Sequence, residues 1–257
     1  KNIIYGFHET WNACSLKALA QSFPNAKFFI IIRDPRSIWA SLCKNAEKRK
    51  ELRVHLLSIV RHFRKYIMLA DHYLNLSVFK NRLMIIKYEN IVTNPEKYTK
   101  KICNFLNIKF NKDMLDPKKH YDFATNKTWV PYSAFSTKFP KLNSQPINKW
   151  KKYLSDIEVK SIEFLCRKEM KSMGYKLKFN VKKTKFNQVI SFIKKDYNKK
   201  VSWRTDLRNF KKDKDIEISR NKILQRKIIA NEPIIKKCFL FTNYSLSHLI
   251  KYYRKQK

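Results

Sequence analysis

Short apolar runs alternate with amphipathic segments along the first part of the chain. Three runs rich in isoleucine and phenylalanine are typical of strands buried on both faces. These predicted strands are 2–7, 27–33 and 82–89. Apolar residues at helical spacing predict helices at 15–23, 36–76 and 94–108. The alternation predicts an α/β fold in which helices flank a parallel sheet.

Local signals refine where the helices begin and end. The long helical stretch contains a charged patch at 45–53, so we expect one break there. Pro95 lies where the first turn of a helix accepts proline. Ser155 and Glu158 have the spacing of a capping box, and Gly174 is of the residue type that commonly ends a helix. One more helix is therefore predicted between Ser155 and Gly174.

The chain changes character twice after the third predicted strand. Residues 107–148 are rich in turn formers and show no clear period, and a segment that long without structure of its own is usually functional. From about residue 179 the chain is a lysine-rich series of amphipathic pieces. We therefore expect an α/β domain over 1–178 and a basic helical extension over 179–257.

The composition narrows the classes of partner. Lysine and arginine total 57 against 20 acidic residues, for a formal net charge of +37. Such a field attracts polyanions, including nucleic acid, anionic lipid, acidic polysaccharide and phosphorylated cofactors, without choosing among them. Two glycines are too few for a glycine-rich phosphate loop within these residues. The five cysteines lack zinc-ligand spacing, and no run approaches the roughly 18 apolar residues of a membrane span.

Arginine and serine follow the second predicted strand at a spacing that suits phosphate binding. Arg33 ends the strand, Pro35 suits the first helical position, and Ser37 and Ser41 lie four apart on one helix face. A guanidinium fork, a hydroxyl and the N–H groups of a helix terminus are all phosphate donors. In the alternative interpretation, Arg33 pairs with an acid such as Glu89 and the serines cap the helix or face solvent. The sequence leaves both interpretations open.

One segment of the chain resembles a known family. Residues 23–42, FPNAKFFIIIRDPRSIWASL, are similar to the segment of sulfotransferases that holds the 3′-phosphate of PAPS, 3′-phosphoadenosine 5′-phosphosulfate. Residues 83–108 and 147–175 are similar to two later segments of the family, so the resemblance spans roughly 1–177. It implies a three-layer P-loop NTPase-like fold.

The resemblance also implies roles for particular residues. By the family pattern, Arg33 and Ser41 bind the 3′-phosphate and Tyr88 lies near the adenine. A catalytic base is expected at the exit of the first strand, where His8 and Glu9 are the candidates, because a hydroxyl acceptor must lose a proton as it attacks sulfur. Two alternatives stay open: that Tyr88 simply ends its strand with the hydroxyl at the surface, and that His8 is a structural histidine.

Two departures from the family pattern affect the expected activity. The glycine-containing 5′-phosphosulfate loop normally precedes everything seen here, so we expect either a sequence truncated at its N-terminus or a chain inactive alone. Before Trp150 the sequence reads Asn143-Ser144-Gln145 where many members have Arg-Lys-Gly. Lys138 and Lys141 are the candidate substitutes as phosphate ligands.

The leading hypothesis is a PAPS-dependent sulfotransferase that needs no metal. It would bind PAPS and its product PAP, and transfer sulfuryl to a hydroxyl or amine of a saccharide or other small acceptor. The alternatives are a non-enzymatic protein that binds nucleic acid or another polyanion, and an inactive sulfotransferase-like protein. We expect a cytoplasmic location, or the Golgi lumen if an upstream anchor is missing.

Overall fold

The computed structural model describes residues 6–8, 12–51, 53–122, 125, 127–128, 145–199 and 209–225. In this part the protein is a mostly helical α/β structure with a small parallel sheet. Strands β1 (Phe28–Ile32) and β2 (Leu83–Lys87) pair in register from Phe28 opposite Leu83 to Ile32 opposite Lys87. The two matching sequence predictions are confirmed. Of the strand predicted at 2–7, residues 2–5 lie outside the described residues, and Gly6 and Phe7 are in neither helix nor strand.

Helices account for most of the described chain. Their bounds are α1 (Leu16–Ser22), α2 (Pro35–Arg49), α3 (Leu56–Leu74), α4 (Tyr88–Thr93), α5 (Pro95–Leu106), α6 (Trp150–Tyr153), α7 (Asp156–Ser172), α8 (Phe186–Tyr197) and α9 (Phe210–Leu224). Within 107–148, the described residues form short 3₁₀ turns and a two-residue pairing of β3 (Tyr121–Asp122) with β4 (Lys127–Thr128). The predicted break in the long helical stretch is confirmed, because Lys50 ends α2 in a left-handed conformation.

Helix α3 forms the centre of the hydrophobic core. It packs against both strands of the parallel sheet and against α2, α7 and α8. Its almost fully buried side chains include Leu56, Leu57, Val60, Ile67 and Leu69. Burying each such side chain stabilises the fold by about 1.5–3 kcal/mol, so this apolar stripe holds the helices on the sheet.

Helix α7 begins and ends at the signals found in the sequence. Ser155 and Glu158 form the predicted capping box, which satisfies free N–H groups at the start of the helix. At the other end, Gly174 has φ +66°, and the N–H of Tyr175 returns to the Met170 carbonyl at 2.8 Å. This left-handed turn directs the chain back toward the ends of the strands.

The two described helices beyond residue 179 contact the rest of the structure through buried charges. Asp196 of α8 accepts the Leu56 N–H at the start of α3 at 2.8 Å. Glu217 of α9 accepts two hydrogen bonds from Arg64 of α3, both at 2.8 Å. Arg220 of α9 binds Glu169 of α7 at 2.6 Å. The domain boundary between 178 and 179 stays a prediction.

Candidate functional site

The carboxyl ends of β1 and β2 place two of the predicted site residues side by side. Because the strands are parallel and Ile32 lies opposite Lys87, the next residues, Arg33 and Tyr88, leave the sheet at the same edge. The guanidinium carbon of Arg33 lies 4.5 Å from the centre of the Tyr88 ring. We call Arg33 and Tyr88, together with Ser41 as a predicted phosphate ligand on the following helix α2, the strand-end corner.

Arg33 differs from every other arginine in the described residues. The others all make a hydrogen bond or an ion pair to a protein oxygen. Arg33 has neither with any described residue, and its Nε is buried without a hydrogen-bond partner there. An unpaired buried donor on a cation is costly, and a bound anion would remove that cost.

Glu89 does not pair with Arg33, so the pairing named in the alternative interpretation of the sequence is not found. One carboxylate oxygen, Oε1, accepts the backbone N–H of Asp34 at 2.8 Å. The other, Oε2, accepts the hydroxyl of Tyr175 at 2.9 Å. Burial and the charge of Glu89 raise the pKa of Tyr175 well above its ordinary value, so this hydroxyl remains a donor. Both oxygens of Glu89 are therefore occupied by protein donors.

The carboxylate of Asp34 caps the start of α2, which corrects the expectation that a phosphate binds the N–H groups there. Asp34 caps the helix by accepting the Arg36 N–H at 2.9 Å, and it also binds the Arg36 guanidinium at 2.6 Å. The carboxylate takes one of the first-turn N–H groups that we expected a phosphate to use, and it brings a negative charge to that position. Ser37 is buried and donates to the Ile147 carbonyl at 2.9 Å. Of the cation and hydroxyls predicted to bind phosphate, those of Arg33 and Ser41 therefore remain as candidates.

Arg36 is a structural residue that joins distant parts of the chain. It also binds Glu163 of α7 at 2.5 Å and lies 4.1 Å from the centre of the Trp150 ring. Burial opposes its charged form, but Asp34 and Glu163 outweigh that effect and raise the pKa of Arg36. Sequence analysis found the tryptophan but missed this role, because the partners are far apart in the chain.

Ser41 lies in the second turn of α2 and is partly buried. It follows the Asp34 cap by seven residues, which is about 10 Å along the axis at 1.5 Å per residue. A ligand that contacts both Arg33 and Ser41 therefore lies along the side of α2. The arrangement suits a phosphate held by side chains at the edge of the sheet.

The remaining predicted site residues are not brought into this corner by the described structure. His8 is exposed and makes no hydrogen bond to any described residue. Glu9, Lys138 and Lys141 lie outside the described residues. Their proposed roles stay predictions.

Among the described residues, no group of three or more histidine, cysteine, aspartate or glutamate side chains is placed to hold a metal ion. None of the described helices is long and apolar enough to cross a membrane.

Sequence analysis missed Tyr175 and Glu89 as partners in this site. The available signal was the Gly-Tyr pair at the end of α7, since a left-handed glycine sets the direction of the residue that follows it. The contact between Tyr175 and Glu89 depends on the tertiary structure, because these two residues are 86 positions apart in the chain.

Part of the chain is similar to sulfotransferases. Residues 7–112 match the sulfotransferase family, and this match includes Arg33, Ser41 and Tyr88. A protein-tyrosine sulfotransferase of Drosophila melanogaster is 25% identical over 139 residues, which cover 50% of this chain and 26% of that protein. This chain thus spans about a quarter of the length of that relative.

The solved structures that are similar to this chain include a sulfotransferase domain. The sulfotransferase domain from the curacin biosynthetic pathway has 18% identity and a TM-score of 0.48, over 65% of this chain and 60% of that one.

Proposed function

We propose, from the premise that this chain is related to the sulfotransferase family through residues 7–112, that it is a PAPS-dependent sulfotransferase. The strand-end corner binds the nucleotide: Arg33 and Ser41 hold the 3′-phosphate, and Tyr88 lies near the adenine. The observation that carries the proposal is Arg33, whose guanidinium has no protein oxygen bound to it among the described residues. A guanidinium in that state matches the oxygens of a phosphate.

The proposed fold and domain division extend the described structure. The pair β1 and β2 belongs to a three-layer P-loop-like sheet, and the chain divides into a sulfotransferase-like domain over 1–178 and a basic helical extension over 179–257. The parallel pairing of β1 and β2 supports the proposed sheet. In such sheets ligands lie beyond the carboxyl ends of the strands, which is where Arg33 and Tyr88 are found.

The proposed reaction transfers a sulfuryl group without a metal. An acceptor oxygen forms a bond to sulfur while the bond from sulfur to the bridging oxygen of PAPS breaks, and PAP leaves with that electron pair. The acceptor proton passes to His8 or Glu9. Lys138 and Lys141 add cationic contacts to the nucleotide. Positioning and charge stabilisation supply most of the rate in such a transfer.

The proposed acceptor is a hydroxyl or amine of a saccharide or another small molecule. The name of the Drosophila relative adds a tyrosine hydroxyl to the acceptors worth testing. Transfer of radiolabelled sulfate from PAPS to a saccharide, a small phenol and a tyrosine peptide would separate these classes. Binding of PAP without transfer to any of them favours the inactive, sulfotransferase-like alternative.

The test of the nucleotide site is binding of PAP measured by calorimetry. We expect Arg33→Ala to weaken PAP binding on the order of 10- to 100-fold, because a charge-assisted hydrogen bond is lost. Ser41→Ala should weaken it less, since its hydroxyl is a neutral donor. Neither variant should change binding of 5′-AMP, which lacks the 3′-phosphate.

Arg49→Ala is the matched control for this experiment. It removes the same charge from the last turn of α2, the helix that begins just after Arg33, and Arg49 there is exposed and 3.9 Å from Glu51. Equal PAP affinity of the parent, Arg33→Ala and Arg49→Ala would contradict the proposal.

A second candidate function is binding of nucleic acid or another polyanion, which the net charge of +37 favours. In that case single-stranded DNA would bind with a steep salt dependence, and Arg33→Ala and Arg49→Ala would weaken binding equally. PAP binding that depends on Arg33 and on the 3′-phosphate would count against it.

A further inference from the structure

Glu89 connects the ends of both parallel strands to the turn after α7. It follows Tyr88 directly at the end of β2, and its Oε1 accepts the N–H of Asp34 just beyond β1. Its Oε2 accepts the hydroxyl of Tyr175, which the left-handed Gly174 directs toward the sheet. One carboxylate thus joins three segments of the chain.

The contact with Asp34 acts on Arg33 through the backbone. The N–H of Asp34 belongs to the peptide group that links it to Arg33, so fixing that N–H fixes where the Arg33 side chain begins. Because Tyr88 precedes Glu89 in the chain, the same contact sets the distance between Arg33 and the Tyr88 ring. Arg33 and Tyr88 are the pair whose guanidinium-to-ring separation is 4.5 Å.

The contact with Tyr175 acts on Arg33 through charge. A carboxylate beside an unpaired guanidinium forms an ion pair with it unless other donors occupy its oxygens. Tyr175 is half-buried, and Lys87 lies 4.8 Å from the centre of its ring, which helps to hold the hydroxyl in place. Glu89 is thereby kept from Arg33, and the guanidinium stays available.

We propose that Glu89 is a positioning residue for Arg33, which it holds in place and leaves unpaired, and that Tyr175 secures Glu89 in that role. The inference rests on the proposed function of the strand-end corner as a 3′-phosphate site. Glu89 itself does not contact the nucleotide.

The test compares Glu89→Ala, Glu89→Gln and Tyr175→Phe by calorimetry with PAP and 5′-AMP. Glu89→Ala should weaken PAP binding on the order of tenfold and weaken 5′-AMP binding much less, because most of the loss acts through Arg33. Glu89→Gln should keep most of the affinity, since the amide oxygen accepts the Asp34 N–H and the amide N–H donates to the Tyr175 oxygen. Tyr175→Phe should weaken PAP binding by releasing Oε2 toward Arg33.

The response to Glu89→Ala separates positioning from a simple charge effect. Removal of a negative charge near a phosphate site, with no other role, would tighten PAP binding in both Glu89 variants. The double variant Arg33→Ala/Glu89→Ala should bind PAP as Arg33→Ala alone does, because Glu89 has no route to the ligand once Arg33 is gone. Additive losses, or equal losses for PAP and 5′-AMP, would show a general structural role instead.

Two surface variants are the matched controls. Glu96→Ala removes an exposed carboxylate of α5, and Tyr121→Phe removes the hydroxyl of an exposed tyrosine. Neither should change PAP binding. If Glu89→Ala fails to fold, Glu89→Gln and Tyr175→Phe still decide the question, because both preserve side-chain volume.

The outcomes distinguish this inference from the proposed function. Arg33-dependent PAP binding that neither Glu89→Ala nor Tyr175→Phe weakens would overturn the role of Glu89 and leave the nucleotide site standing. A parent chain that does not bind PAP, or binds it independently of Arg33, would overturn both.

Discussion

Two arginines three positions apart have opposite roles. Arg33 faces the edge of the sheet with a tyrosine ring as its described contact, whereas Arg36 is buried and bound to Asp34 and Glu163. The difference lies in the partners that the fold brings to each. A buried arginine paired with two carboxylates is part of the scaffold, whereas an arginine with no carboxylate partner is available to a ligand.

Replacing each arginine should separate these roles. We expect Arg36→Ala to lower the free energy of unfolding by about 3–5 kcal/mol, because it leaves two buried carboxylates unpaired. Arg33→Ala should cost about 1 kcal/mol or less, the size of a cation–π contact near the surface. Urea unfolding followed by circular dichroism measures both. Equal losses would show that Arg33 is also part of the scaffold.

Single elements are set largely by local signals at their ends. Asp34 and Pro35 begin α2, the Ser155–Glu158 capping box begins α7, and Gly174 ends it. These positions were predictable from the sequence because capping uses residues within four positions of one another. The direction in which Gly174 sends Tyr175 is the step at which local structure begins to build the site.

The two glycines of the chain offer a matched test of that turn. Gly174→Ala should lower the free energy of unfolding by about 1–2 kcal/mol, because an alanine at φ +66° is strained. Its new Cβ would also lie 3.4 Å from the Lys87 Nζ. Gly6→Ala should have little effect, because a Cβ there meets nothing within 4 Å. Thermal unfolding of the two variants checks this, and similar losses would show that the turn is not under strain.

Across the whole molecule, arginine pairs with the buried acids although lysine is far more abundant. The buried acids of the described residues are Asp34, Glu163, Glu169, Asp196, Asp213 and Glu217. Each of them is bound to an arginine. The planar guanidinium loses less on leaving water and forms paired hydrogen bonds, while lysine keeps its charge at the surface. The same arginine pairing holds α9 against α3 and α7.

These pairs should make the stability of the fold depend on acid pH. Burial alone would raise the pKa of Glu217 and Glu169, but arginines outweigh it, Arg64 at Glu217 and Arg220 at Glu169, and lower both pKa values below the ordinary 4.5. A carboxylate whose pKa is lower in the folded state stabilises the fold above its unfolded pKa and loses that contribution as pH falls. The free energy of unfolding should therefore begin to decline as pH falls below about 5, and should keep declining until pH reaches the lowered pKa values of the folded state.

Urea unfolding at several pH values measures that decline. Glu217→Gln should lower stability at neutral pH and flatten the decline, because one of the titrating groups is gone. Glu51→Gln, which changes an exposed carboxylate, should leave the slope as it is in the parent. A Glu217→Gln slope equal to that of the parent would show that this carboxylate does not control the acid response.

The sequence by itself determined most of the described elements and the position of Arg33 at the end of a strand. Strand and helix patterns, capping signals and the position of Arg33 after an apolar run all depend on residues close together in the chain. Only the tertiary structure decided which groups are in contact. Glu89 accepts hydrogen bonds from Asp34 and Tyr175. Arg36 forms an ion pair with Glu163, whereas Arg33 contacts the Tyr88 ring. The physical reason is that pairing between charges follows distance in space, and 127 positions of chain separate Arg36 from its second carboxylate.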